Sequence, residues 1–293
     1  MSDPTVSVII PTFNRSKLTI EAVGSVLRQS VRAAEIIVVD DGSTDGTAER
    51  LQEAAPQLSV LRIPHCGMPG AVRNAGAGRA RGALLAFLDS DDLWEPAKLA
   101  RQIGFHQAQP GVRISHTREV WLRDGRIVSQ QTQRHRREGD VFADALVKCM
   151  IGPSTVMLER ALFEESGGFR EDLEIAEDYE LWLRIVDHEP VGYIDEPLTL
   201  KRAHGGEAGD GQLSARYGQI EIFRIRALED LLERDFFVRA RAEVARAELA
   251  RKCRIYAAGC RKRGKLEEAH LYELRSRSYT EIQHGSDAVL GAD

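Results

Sequence analysis

The chain has 293 residues, 43% hydrophobic and 29% charged, the composition of an ordinary globular protein. Its 40 basic and 45 acidic side chains leave a net charge of −5, which excludes a protein built around a nucleic-acid polymer. Four cysteines are too few for a disulfide scaffold, and no run approaches the ~18 apolar residues needed to span a bilayer. A reducing, cytoplasmic setting and about two domains are the expectation.

The first hundred residues alternate strand and helix signals. Val6–Ile10 is β-branched and ends at Pro11; Ser16 opens a helix with Ile20, Val23 and Leu27 on one face. Glu35–Val39 is nearly continuous in apolar residues, as suits a parallel strand buried on both faces. Gly42–Gly46 is turn chemistry, and a short helix from Thr47 must end before Pro56. Leu58–Ile63 is a third strand, Ala71–Ala80 a small-residue helix and Ala83–Leu88 a fourth strand. This order predicts a doubly wound, mainly parallel sheet. Farther on, Val112–Arg123 and Arg126–Gln133 flank Asp124-Gly125, a hairpin signal. Ser154–Leu158 and Leu198–Leu200 are strand-like, and Ala176–Val186 is helical. Residues 214–280 carry two or three helices, broken near Arg234-Asp235 and Gly259–Gly264. The domains expected are 1–213, divided at about residue 95, and a helical extension 214–293.

Ligands of an open α/β sheet bind beyond the carboxyl ends of its strands. Here those ends deliver Pro11-Thr12-Phe13-Asn14, Asp40-Asp41 and Asp89-Ser90-Asp91-Asp92. Each cluster alone has a plain reading as turn or cap. Together they look like a site. Three carboxylates within four residues repel one another unless a cation intervenes, and Mg²⁺ or Mn²⁺ takes carboxylates together with substrate phosphates. Gly67–Gly70 precedes a helix whose free N–H groups favour an anion, with Arg73 in its first turn. Gly76-Ala77-Gly78 falls inside that helix and reads as helix-on-sheet packing, not as a dinucleotide fingerprint.

Five stretches in order, Val6–Asn14, Glu35–Asp45, Arg73–Gly76, Phe87–Asp92 and Gly167-Gly168-Phe169 with Glu177-Asp178, resemble family 2 glycosyltransferases of the GT-A fold over residues 5–205. The resemblance implies an inverting transfer from a nucleotide-diphosphate sugar, most often a UDP-sugar, to an acceptor hydroxyl, using Mg²⁺ or Mn²⁺. Surface polysaccharide or glycoconjugate synthesis is the setting it suggests. Pro11, Thr12, Phe13 and Asp41 would hold base and ribose, with Asn14 and Arg73 beside them. Asp89 would sit near the ribose or sugar, Asp91 would bind the metal, and Asp178 would be the base. His204 would add a further contact to the metal or diphosphate. The glycine-rich stretch Gly205–Gly211 reads as a lid.

The acceptor side is expected at Ser154, Thr155 and the Gly167-Gly168-Phe169 turn. Trp94 and Trp182 read as core and Trp121 as a surface platform, while His116 and His135 have ordinary readings. A protein that binds nucleotide sugars without turnover is the alternative. A nucleotidyltransferase would want a glycine-rich loop that Pro11–Arg15 lacks. From Gly211 to the end there are 16 basic and 13 acidic residues, so the tail carries +3 and the rest −8. An acid-rich core cannot hold a diphosphate by its own net charge, which makes a metal a requirement of this reading. The arginine-rich tail reads as helices packed on the core. It leaves open a homodimer, or peripheral contact with the inner face of a cell membrane carrying a lipid-linked acceptor.

Overall fold

The computed structural model describes residues 4–123, 126–128, 137–203 and 220–287. Three parallel strands come first: β1 (Val6–Thr12), β2 (Glu35–Asp40) and β3 (Ser59–Arg62). Between them run α1 (Ser16–Leu27) and α2 (Thr47–Ala54). Next come α3 (Pro69–Ala77) and β4 (Leu84–Phe87), which pairs in parallel with β1. The order β3-β2-β1-β4 is wound on both faces. Alternation along β1 and β2 explains this. Val6, Val8, Ile10 and Val38 pack with Val23 and Val26 of α1 and Leu51 of α2, whereas Ile9, Ile37 and Val39 pack on Val72 of α3. Each strand therefore needs apolar residues at successive positions.

The second half extends the same sheet through β8 (Val156–Glu159), β6 (Ile114–Arg123), β9 (Val191–Ala203) and the short β5 (Leu93–Trp94). The β4–β8 and β8–β6 pairings are antiparallel and β6–β9 is parallel. β7 (Arg126–Val128) pairs with β6 so that Arg123 faces Arg126, the spacing expected of the hairpin; its Asp124-Gly125 turn lies outside the described residues. Helices α4 (Lys98–Ala108), α5 (Phe142–Val147), α6 (Arg160–Glu165) and α7 (Glu177–Val186) clothe this half. The expected α/β fold with a helical C-terminal part is what the chain adopts.

The C-terminal helices are α8 (Ile220–Glu233), α9 (Arg239–Lys262) and α10 (Leu266–Asp287). Ile225, Leu228, Phe237, Leu249 and Tyr256 join the same apolar cluster as Phe142, Trp182 and Val186. Arg241 donates to the carbonyl of Val186 (2.7 Å), capping the end of α7. Lys252 is fully buried and donates to the Val147 carbonyl (2.8 Å) and to Glu221 (2.7 Å). These two cations of the tail are thus spent on contacts within the protein. Cys253 and Cys260 are buried and unbridged.

Candidate functional site

The carboxyl ends of β1, β2 and β4 open onto one cleft of about 1370 Å³. Pro11, Thr12, Phe13, Asn14, Asp41, Arg73, Asp89, Asp91 and Asp178 all line it. His204 and the Gly205–Gly211 stretch, like His135, lie outside the described residues. The strand-end clusters therefore converge as the sequence suggested, but their side chains divide the work differently.

At the β1–β2 end, Phe13 is 38% exposed and stacks flat on His65, with centroids 4.0 Å apart and planes 12° apart. Asp41 builds this platform: its carboxylate accepts from the Cys66 amide (2.8 Å) and the Gly67 amide (3.0 Å) and pairs with His65 Nδ1 (2.8 Å). Asn14 stands at φ 49°, and its amide oxygen accepts from the Thr44 amide (2.8 Å). Thr12 is buried against the Thr19 hydroxyl (2.6 Å). Asn14 and Thr12 thus pin the loop from which Phe13 projects.

At the β4 end the acids are partnered by cations. Arg73 donates to Asp89 (2.7 Å) and to Glu177 (2.5 Å), so it faces carboxylates and not an open anion site. Asp91 pairs with Arg15 at 3.2 Å. Burial raises the Asp89 carboxyl, yet Arg73, Lys201 and Arg15 hold it below the ordinary carboxylate range. Burial pushes Asp92 up to about 8 against the pull of Lys201, with Asp91 and Asp89 adding to the rise. Ser154 ties the loop shut. Its hydroxyl donates to Asp92 (2.6 Å) and accepts from the Asp89 amide (3.0 Å).

That corrects one expectation. Ser154 is fully buried and positions the Asp cluster; it does not face an acceptor. In the Gly167-Gly168-Phe169 turn, Gly168 and Phe169 are likewise buried, and Asn74 clamps the turn through the Phe169 amide (3.0 Å) and carbonyl (2.8 Å), while Gly167 is exposed. Trp94 and Trp182 are core, as read, and Trp121 lines the cleft. His116 is buried, with Nε2 at 2.8 Å from the Arg137 carbonyl.

Asp178 sits in the first turn of α7. The residue before that helix, Ala176, is held at φ 67°, a left-handed strain that the surrounding contacts must support. Asp178 accepts from the Cys149 thiol at 3.3 Å. Burial, reinforced by Asp178, raises that thiol well above its usual range, so it serves as a neutral donor. Burial also lifts Glu177 to about 7 despite Arg73, and Asp178 contributes.

Sequence reading missed Lys201. Its ammonium lies 3.8 Å from Glu119 and 5.5 Å from the centre of the Trp121 ring. Asp92, Glu119, Asp89 and Asp178 outweigh its burial and keep it charged. Arg15, Arg202 and His65 also line the cleft without having been singled out as ligands. Lys201 lies on β9, of which only Leu198–Leu200 carries a plain strand signal.

A divalent ion suits part of this set. Asp91 offers hard oxygen toward the cleft, although no group of three metal-type ligands converges among the described residues. Such an ion would take its other ligands from phosphate and water.

The sheet, with its doubly wound first half and helical C-terminal part, has the GT-A type fold. Residues 7–167 match the family described as glycosyl transferase family 2, more than half the chain, and the protein belongs to that family. It is 36% identical over 208 residues to an uncharacterized glycosyltransferase of Rickettsia felis, covering 70% of this chain but 34% of that one. The chain thus spans about a third of that relative's length. It is 29% identical over 196 residues to the Escherichia coli UDP-Glc:alpha-D-GlcNAc-diphosphoundecaprenol beta-1,3-glucosyltransferase WfgD, 67% of this chain and 75% of that one. The S. aureus TarS 1–349 structure in complex with UDP-GlcNAc shares the fold, with a TM-score of 0.62, 20% identity and coverage of 96% and 92%.

Proposed function

We propose that the protein is an inverting glycosyltransferase that moves a sugar from a nucleotide-diphosphate donor to an acceptor hydroxyl during synthesis of a surface polysaccharide or glycoconjugate. The observation that carries this reading is the placement of Asp178 in the same cleft as the Phe13–His65 platform and the Asp89–Asp92 loop.

In this reading the base of the donor stacks on the exposed Phe13–His65 pair, and the sugar lies toward Asp89. The acceptor oxygen attacks the anomeric carbon from the face opposite the diphosphate. As that bond forms, the hydroxyl becomes acidic and Asp178 takes its proton, while the bond to the diphosphate oxygen breaks. Arg15 and Lys201 supply fixed positive charge near the departing diphosphate. Mg²⁺ or Mn²⁺ held at Asp91, with His204 as the second protein ligand, would stabilise the same charge. UDP is the first donor nucleotide to try, since the relative WfgD is named for UDP-Glc.

Peripheral membrane contact through the tail has weaker support. Among the described residues no helix is long and apolar enough to cross a membrane. Arg241, Arg251, Lys252 and Arg261 pair within the chain.

The test combines a thermal-shift panel of nucleotide sugars, with and without Mn²⁺, with the Asp178→Asn variant. A bound donor raises the melting temperature with ln(1 + [L]/Kd). Asp178→Asn is expected to keep that shift and lose transfer by a factor of roughly 10²–10⁴, the range of a general base. Transfer at the wild-type rate by Asp178→Asn would overturn the base assignment. A panel without any shift would overturn the donor.

A further inference from the structure

One wall of the cleft is basic beyond what its neighbouring carboxylates balance. Arg137, Lys148 and Arg224 reach it from three separate places: the segment before α5, the residue after α5, and α8. Burial lowers the Lys148 ammonium below the ordinary lysine range, and Arg137 and Arg224 lower it further against the pull of Glu119. Among the described residues no carboxylate pairs with Lys148 or Arg137; Arg137 instead donates to the Tyr193 hydroxyl (2.6 Å). Arg224 pairs with Glu221 at 3.4 Å, and its buried Nε has no partner among the described residues. Cations crowded to mutual cost and left with spare donors are arranged for an anion that arrives with the ligand.

Position says which ligand. Lys148 adjoins Cys149, whose thiol touches Asp178, so the basic wall flanks the base. The strand ends and the Phe13–His65 platform belong to other elements of the cleft. Three cations converging from three elements fit a multi-oxygen anion better than a single flat carboxylate, which one guanidinium would satisfy.

We propose that the acceptor carries a phosphoryl group, seated among Arg137, Lys148 and Arg224 beside the hydroxyl that Asp178 deprotonates. This deepens the glycosyltransferase reading and rests on it. The phosphoryl group could come from a lipid-linked sugar diphosphate or from a polyol-phosphate polymer; the chemistry at the wall is the same.

The experiment compares one acceptor sugar bearing a neutral alkyl group, an alkyl diphosphate, a short polyol-phosphate oligomer, or a carboxylate. The wild type should use a phosphorylated acceptor at least about tenfold better in kcat/KM than the neutral one. Lys148→Gln should reduce that preference to near unity and Lys148→Arg should restore it. The better of the two phosphorylated arms identifies the source. Equal use of the neutral acceptor, a preference that survives Lys148→Gln, or a carboxylate acceptor that matches the phosphorylated ones would overturn the proposal. Calorimetric titration of octyl phosphate is independent of turnover. If no acceptor is glycosylated yet octyl phosphate binds at least about fivefold more weakly to Lys148→Gln, the anion site stands and the transferase reading falls. Equal binding to both proteins overturns the anion site.

Discussion

Lys201 is the residue on which the acidic cleft depends. It faces Asp92, Glu119, Asp89 and Asp178 at once, and those four acids keep it charged although it is largely buried. Removing it takes away a positive charge on which Asp92, Glu119, Asp89 and Asp178 all act, and carboxylates stripped of counter-charge destabilise the fold. Lys201→Met should therefore lower the melting temperature. Adding Asp92→Asn should recover part of the loss, because Asp92 leads the acids that hold Lys201 charged. Differential scanning calorimetry of the two single variants and the double variant checks this. Additive losses would show that Lys201 and Asp92 do not interact. Little of this was legible in sequence. Acids at strand ends announce themselves, because turns and sites both use Asp. A lysine on a strand announces nothing until the sheet order places β9 beside β6 and turns Lys201 toward Trp121. Ser154 was misread for a related reason. Its place at the head of a strand-like stretch does not say what it packs against, and here it is buried beneath the Asp cluster.

At the scale of elements, helix α3 lies close on the sheet because Gly76 has no side chain. A Cβ there would stand 2.5 Å from Ile9 Cγ2 and 2.9 Å from Val39 Cγ2. Gly76→Ala should destabilise by about 1–3 kcal/mol, the usual cost of overpacking a filled core. Gly104, inside α4, has open space where its Cβ would be. Gly104→Ala should instead stabilise by about 0.5–1 kcal/mol, since alanine is the better helix former. Urea denaturation of both variants reads the opposite signs. The packing role of Gly76 was legible, and so were β1, β2 and β4, whose apolar runs have no competing helical reading. β9 was not. Gly192 and Pro197 break its alternation, and Pro197 pairs with Arg118 where the register with β6 shifts. Proline is tolerated in a strand at such an irregularity. Helices α5 and α6 have six residues each, too short to show a period.

For the whole molecule, the buried histidines set a stability limit on the acid side. Burial lowers His116 to about 4, and it lowers His106 as well. The unfolded chain binds those protons near pH 6.5 and the folded chain does not, so the stability these histidines contribute falls as pH drops from about 6.5 to 4. Asp92 and Glu177, whose carboxyls are raised in the folded chain, act in the opposite sense, so the check is the melting temperature of the wild type relative to His116→Gln, a difference that should fall from pH 7.5 to 4.5. A difference that stays constant would remove His116 from the account. The same scale corrects an inference from net charge. The acid excess over residues 1–210 suggested that only a metal could hold a diphosphate. Arg15, Lys201 and Arg202 nonetheless line the cleft, so the sum over the core misstates the local field. Asp91 still offers a metal ligand, but the excess of acid does not by itself demand one.

Arg73 joins the two halves of the chain across the cleft. One rigid guanidinium holds Asp89, on the strand-end loop, and Glu177, the neighbour of Asp178 on α7. The gap between them is therefore a fixed gauge and not a hinge. Arg73→Lys would keep the charge but lose the fork that grips both acids. In the proposed reaction, a donor whose sugar is longer or shorter than the gauge would leave its anomeric carbon out of line with Asp178, however tightly its nucleotide stacked. Selection among sugars would then appear in kcat, and selection among nucleotides in KM.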